Sequence, residues 1–106
     1  MSQVDWFTQD LDAEADDMGR QSDDKRVRFL QAVAEATGWI AKHPTAGSPT
    51  YGDYWGIPGL KHKQVLPQSE FDYLAFYIIE SSGTVRMLRL VHAKSAFRWK
   101  ITMSMP

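Results

Sequence analysis

Hydrophobic residues recur with strand spacing along much of the C-terminal half of the chain. Two apolar runs lie within residues 71–94 and flank a short polar turn. The first run is apolar at both odd and even positions, which predicts a central strand with packing on both faces. The second run, Val85–His92, is aliphatic but also carries Arg86, Arg89 and His92. The pattern therefore predicts a β-hairpin whose second strand brings polar side chains to its end.

Helical spacing governs the N-terminal part of the chain, after a short apolar opening. Residues 4–7 predict a brief edge strand. Leu11, Ala15 and Met18 then follow one another at i, i+4 and i+7, which is one face of a helix. We expect this helix over residues 8–18, because the three residues after Met18 break the pattern.

A second helix is predicted between Ser22 and Pro44. The hydroxyl of Ser22 is a good N-cap, and the acids Asp23 and Asp24 suit the first turn of a helix. Pro44 ends the pattern, because proline does not continue a helix. Two helices with so short a connection predict an αα-hairpin. The predicted buried stripe consists of Val27, Leu30, Val33, Ala34, Thr37 and Ile40, widened by Phe29, Ala36 and Trp39.

The remaining segments complete the predicted fold. Residues 44–59 form a loop rich in glycine and proline, and residues 60–66 predict a strand. Strict alternation over residues 97–103 predicts a final strand. We expect one α+β domain over residues 1–106, with an N-terminal short strand and a helical hairpin. These pack on a mainly antiparallel sheet of three to four C-terminal strands.

Composition and charge narrow the class of protein. The chain has no cysteine, which excludes disulfides and thiolate metal sites and fits a reducing cytosol. No apolar run approaches the roughly 20 residues of a membrane span, and the N-terminus does not resemble a signal peptide, so we expect a cytoplasmic protein without a membrane partner. Residues 1–43 carry five Lys/Arg against nine Asp/Glu, a charge of −4, and residues 44–106 carry seven against four, a charge of +3. This basic excess is too small to predict direct DNA binding.

The three histidines predict neither a metal site nor a cofactor. His43, His62 and His92 are far apart in the sequence and no cysteine assists them. His43, which precedes a proline at a helix end, is expected to bond terminal carbonyls. His92 has either a structural or a functional role, and the pattern leaves both open. The motifs of nucleophilic hydrolases and of phosphate-binding loops do not occur.

Strand-borne cations are the candidates for chemistry. Together with a histidine and nearby tyrosines they could cleave RNA through its 2′-hydroxyl without a metal, by acid–base catalysis and electrostatic stabilisation. The alternative is that they form the solvated face of a sheet or pair with acids on a helix. The candidates are Lys61, Lys63, Arg86, Arg89, His92, Lys94, Arg98 and Lys100.

Several motifs, in order, resemble the RelE/ParE toxin superfamily. The sequence HPTAG at residues 43–47 resembles the Pro-x-x-Gly that closes the second helix of that superfamily. GLKHKQVLPQSEFDYLAFYII, residues 59–79, resembles its second and third strands. LRLVH, residues 88–92, resembles the end of its fourth strand, which is aliphatic-Arg-aliphatic-aliphatic-His in ParE-like members. The resemblance extends from about Trp6 to Phe97.

The resemblance implies the toxin of a type II toxin–antitoxin system of the plasmid-stabilisation type. A cognate antitoxin would neutralise it by folding across its sheet and helical hairpin. RelE-like members cut messenger RNA on the ribosome, whereas ParE-like members inhibit DNA gyrase. The chain is nearer to ParE because of its strand ending at His92. It departs from ParE-like chains after this histidine, since residues 93–96 lack their Arg-Asp, and Lys94 does not reproduce the bidentate geometry of arginine.

The resemblance also implies two alternative sets of site residues. A gyrase inhibitor would bind its target through residues at and after the last central strand, whereas a ribosome-dependent endoribonuclease would use basic strand residues for catalysis. A third alternative is a non-toxic binding module of the same fold. The target-binding set is Arg89, His92, Lys94, Arg98 and Trp99, and the ribonuclease set is Lys61, Lys63, Arg89 and His92.

Overall fold

The computed structural model describes residues 5–52 and 56–95. In these ranges two helices precede a three-stranded antiparallel sheet, which confirms the predicted α+β fold. The predicted final strand over residues 97–103 lies outside the described residues. The elements are α1 (Trp6–Gln21), α2 (Asp23–Lys42), β1 (Lys61–Gln64), β2 (Tyr73–Ile79) and β3 (Val85–His92), with short 3₁₀ turns at Pro44–Ala46 and Ala93–Ser95.

Helix α1 begins earlier than predicted, so the edge strand expected over residues 4–7 is wrong for Trp6 and Phe7. Asp5 is the N-cap, because its carboxylate accepts the Thr8 N–H at 3.0 Å and the Thr8 hydroxyl at 2.7 Å. These bonds lower the pKa of Asp5. Phe7 is buried and extends the apolar face of the helix by one turn.

A single residue joins the two helices. Helix α1 continues through Gln21, where the sequence pattern predicted a break, and Ser22 is both its C-cap and the N-cap of α2. The Ser22 N–H donates to the Met18 carbonyl at 3.0 Å, and the Ser22 hydroxyl accepts the Lys25 N–H at 3.2 Å. The predicted αα-hairpin is confirmed, with a shorter connection than expected.

The limits of α2 agree with the prediction, but its buried stripe differs from it at three positions, Val27, Ala32 and Ala34. Val27 is 47% exposed and Ala34 is also exposed, so both were wrongly placed in the stripe. The buried face consists of five residues on one helical stripe, and all of them except Ala32 were predicted. These residues are Phe29, Ala32, Val33, Ala36 and Ile40.

The sheet has the order β1-β2-β3, which confirms β2 as the central strand. All residues of β2 up to Tyr77 are buried, as expected for a strand that is packed on both faces. The register between β2 and β3 shifts after Phe76, which pairs with Arg89, because Leu88 is an extra residue in β3. Such a bulge bends a strand and redirects its side chains.

Two hydrophobic clusters lie on opposite faces of β2. On the helix side, Phe29 makes edge-to-face contacts with Phe71 and Tyr73, at ring-centroid distances of 5.4 and 5.2 Å. The cluster on the other side, here the far face, is smaller, and loop side chains cover it in part. Its buried residues are Leu60, Leu74, Phe76 and Val91, and Tyr51, Ile57, Ile78, Leu88 and Ala93 pack against them.

Candidate functional site

Arg89 is held by helix α1 rather than presented to solvent. Its Nε and Nη2 donate to the two carboxylate oxygens of Asp10 at 2.7 and 2.9 Å. The Leu90 N–H donates to the same carboxylate at 3.0 Å. The guanidinium carbon also lies 5.4 Å from the centre of a Trp6 ring. Only 11% of the Arg89 side chain is exposed, so this bidentate pair fastens α1 along the edge of β3.

His92 and Lys94 lie together where β3 ends. The Nδ1 atom of His92 accepts the Lys94 N–H at 3.1 Å, which orders the turn after the strand. An accepting Nδ1 carries no hydrogen, so the neutral ring has its hydrogen on Nε2. The His92 ring also meets the edge of Tyr73 at 5.1 Å. Lys94 itself is exposed.

Tyr73 links this end of the sheet to α1. Its hydroxyl donates to a Glu14 carboxylate oxygen at 2.6 Å. Burial raises the pKa of Tyr73 well above its ordinary value, and the bond to Glu14 and the nearby charge of Asp17 add to the effect. The hydroxyl therefore keeps its proton at neutral pH and acts as a donor, which makes it unsuitable as a general base.

Alkaline titration tests the role of the Tyr73 hydroxyl. A tyrosine with a raised pKa stabilises the folded state below about pH 10, and this contribution is lost as the pH rises, because unfolded chains lose the proton first. Tyr73→Phe should lower the free energy of unfolding by about 1 kcal/mol near neutrality. It should also reduce the loss of stability above about pH 10, measured by urea unfolding at several pH values. If Tyr73→Phe loses as much stability at alkaline pH as the wild type does, this role of the hydroxyl is contradicted.

The two predicted basic residues of β1 lie at the opposite edge of the sheet. Lys61 pairs with Tyr77 and Lys63 pairs with Ala75 of the central strand. The Lys63 ammonium lies 4.6 Å from the centre of the Trp39 ring of α2. Since neighbouring strands are about 4.8 Å apart, β1 and β3 are separated by about 10 Å.

The structure therefore brings together only part of each predicted set. His92 and Lys94 lie at the end of β3 and just after it, and Arg89 lies three residues before this end on the same strand. Both lysines of the ribonuclease set lie two strands away. Arg98 and Trp99 are outside the described residues.

A groove between α2 and β1 was not predicted. It has a volume of about 180 Å³, and its floor is made by small residues, Ala32 and Ala36, between the larger Trp39 and Leu66. Leu66 is 55% exposed. Lys63 lies at the rim, next to Trp39. The sequence signal for this groove is the pair of small residues one helical turn apart on α2. Hydrophobic periodicity assigns both alanines to the core and does not indicate a groove.

The Pro-x-x-Gly motif has a packing role in this fold. The Tyr77 hydroxyl donates to the Pro44 carbonyl at 2.7 Å and lies against Gly47. A Cβ atom on Gly47 would be 2.1 Å from the Tyr77 hydroxyl oxygen. Burial raises the pKa of Tyr77, against the opposing effect of the Gly47 N–H. The motif thus attaches the end of α2 to the centre of the sheet.

Residues 5–52 and 56–95 contain no group of three or more His, Cys, Asp or Glu side chains that could hold a metal ion. Neither helix in them is long and apolar enough to cross a membrane.

A family model described as the ParE toxin of the type II toxin-antitoxin system, parDE, matches residues 5–97. The chain belongs to the ParE toxin family. This ParE-family chain is accordingly the toxin component of a type II toxin–antitoxin system, and the match includes α1, α2 and all three described strands. No curated protein and no solved structure matches it at a significant level.

Proposed function

We propose that this toxin acts in the cytoplasm by inhibiting DNA gyrase, and that a cognate antitoxin neutralises it. The observation that carries the proposal is the division of the strand-borne cations between two sheet edges. Lys61 and Lys63 are separated by the central strand from Arg89 and His92. Cleavage of RNA needs a proton acceptor, a proton donor and a cation around one phosphate. Recognition of a protein target does not require such convergence.

The target-binding surface of this proposal is the end of β3 with the turn that follows. Lys94 is exposed there, and His92 holds the backbone of the turn through its Nδ1 atom. Arg89 contributes as a positioning residue, because its bond to Asp10 fixes β3 against α1. Arg98 and Trp99, which follow this turn in the sequence, also belong to the proposed target-binding set.

The groove between α2 and β1 is the proposed docking site of the antitoxin. Its floor is apolar, so it suits the apolar side chains of a segment that folds on binding. Lys63 suits an acidic residue of the same segment, and Glu35, which also lines the groove, suits a basic one. Trp39 adds a partly buried aromatic surface, the type of residue that often dominates binding energy.

Inducible expression in a bacterium without the antitoxin tests the target. Incorporation of labelled thymidine should fall before that of labelled methionine, and purified toxin should inhibit supercoiling by gyrase in vitro. Lys94→Ala should weaken inhibition severalfold because it removes an exposed cation of the proposed surface. Lys42→Ala, which removes an exposed lysine at the end of α2, should leave inhibition unchanged.

The other outcomes distinguish the alternatives. If methionine incorporation falls first, and messenger RNA is cut only when ribosomes are present, the ribonuclease replaces the gyrase inhibitor. If soluble protein accumulates and neither incorporation falls, the chain is a non-toxic binding module. If the antitoxin does not restore growth, the neutralisation step of the proposal is wrong.

A further inference from the structure

His62 ties a loop segment to the outer edge of strand β1. Its N–H donates to the Ser48 carbonyl at 2.9 Å, and its carbonyl accepts the Ser48 N–H at 3.0 Å. These two bonds form an isolated antiparallel bridge. Residues 48–52, here the docked segment, therefore lie beside the sheet without forming a full strand.

The His62 side chain extends this attachment onto the far face of the sheet. Its ring contacts Tyr51 of the docked segment and Phe76 of β2, both at 5.4 Å between ring centres. Tyr51 and Phe76 also contact each other at 5.7 Å. The imidazole thus lies in a cluster of three mutually touching rings, and this cluster covers part of the far-face core.

The Nδ1 atom of His62 is buried and has no hydrogen-bond partner within the described part of the chain. A neutral ring with its hydrogen on Nε2 leaves only a lone pair unsatisfied at this atom. A second proton would bury a charged N–H without an acceptor, which is much more costly. Burial lowers the pKa of His62 for this reason.

The described residues that contact His62 carry no negative charge that would stabilise a protonated ring. The docked segment contributes the phenol of Tyr51 and the backbone of Ser48, and β2 contributes the ring of Phe76. On β1 itself, Lys61 and Lys63 alternate with His62 and therefore point to the other face of the sheet. Asp53, which follows the segment, lies outside the described residues.

We propose that His62 makes the docking of residues 48–52 on the sheet depend on pH, so that the segment is held near neutrality and released in acid. Above about pH 6.5 the ring is neutral in both states, and docking is at full strength. As the pH falls below this value, the His62 ring gains a proton more readily when the segment is released than when it is docked. Docking therefore weakens, and Tyr51 uncovers Phe76. This device is independent of the proposed target.

Hydrogen exchange on the full chain tests the proposal at the two amides that form the bridge. After correction for intrinsic rates, the protection of the Ser48 and His62 amides should fall severalfold between about pH 7.5 and pH 5.5. The amide of Ala75 in the central strand should keep its protection. In His62→Phe, which preserves an apolar ring and cannot titrate, protection of the bridge should be the same at both pH values.

The controls separate His62 from other titrating groups. His43→Gln removes an exposed histidine at the end of α2 and should leave the pH dependence intact, as should Asp53→Asn. NMR titration of the wild type should show the His62 imidazole protonating below the ordinary pKa of histidine, which tests the proposal even if the phenylalanine variant does not fold. The proposal is overturned if protection of the bridge does not change with pH in the wild type. It is also overturned if this protection still falls in acid in His62→Phe, or no longer falls in acid in Asp53→Asn.

Discussion

Replacing Asp10 with alanine should lower the free energy of unfolding by about 3 kcal/mol, the lower end of the range for removing one partner of a buried ion pair, because this pair is not completely buried. The Arg89 and Asp10 side chains are only 11% and 16% exposed, so water does little to replace the lost carboxylate. The Leu90 N–H loses its acceptor as well. Urea unfolding followed by circular dichroism measures this change.

A double-mutant cycle and a matched control complete this test. Because both single variants remove the same interaction, the Asp10→Ala/Arg89→Ala variant should lose clearly less stability than the sum of the two single losses. Asp17 lies on the same helix, but its side chain and that of its partner Arg20 are 61% and 77% exposed. Asp17→Ala should therefore lower the free energy of unfolding by about 0.5 kcal/mol or less. Strict additivity, or equal effects of the two aspartate variants, would show that the pair does not fasten α1.

Gly47→Ala should destabilise the protein by about 1–3 kcal/mol, the usual range for overpacking a well-packed core. The new methyl group would lie 2.1 Å from the Tyr77 hydroxyl oxygen and 2.8 Å from the ring carbon that carries it. Tyr77 is fully buried, so its ring cannot move aside without disturbing the core. The hydroxyl would also lose its bond to the Pro44 carbonyl.

Gly38 provides the matched control, because a Cβ atom there meets nothing within 4 Å. Gly38→Ala should stabilise the protein by about 0.5–1 kcal/mol, since glycine inside a helix is less favourable than alanine. In the Gly47→Ala background, Tyr77→Phe should recover part of the loss, because it removes the nearest atom of the contact. Thermal unfolding should shift the melting temperature down in Gly47→Ala and up in Gly38→Ala. Shifts in the same direction would contradict the packing role of Gly47.

Much of this fold was predictable because local patterns determine its elements. Helix α2 has a hydroxyl cap at Ser22 and a proline after its end, and both limits were predicted from these residues. Strand β2 is apolar at odd and even positions, and this pattern alone placed it at the centre of the sheet. The family resemblance was predicted from short motifs, and the match over residues 5–97 confirms it.

One error is local, and the other omissions arise where distant parts of the chain meet. Trp6 and Phe7 were read as a strand because the cap at Asp5 and the helical phase of Phe7 were not considered together. For Arg89 the prediction left open target binding or pairing with an acid on a helix, and the sequence does not specify that its partner is Asp10, 79 residues earlier. The groove between α2 and β1 likewise depends on how a helix packs across a strand, which periodicity does not specify.

The attachment of α1 to the edge of β3 determines the order in which the chain can fold on the ribosome. The carboxylate of Asp10 and the N–H of Leu90 are separated by 80 residues, and bacterial translation adds about 5–20 residues per second. The residues of the first helix are therefore made about 4–16 seconds before the strand that they pack against. During this interval the residues of the helical hairpin have been made but β3 has not, so a partner that binds the hairpin alone has the first opportunity to associate.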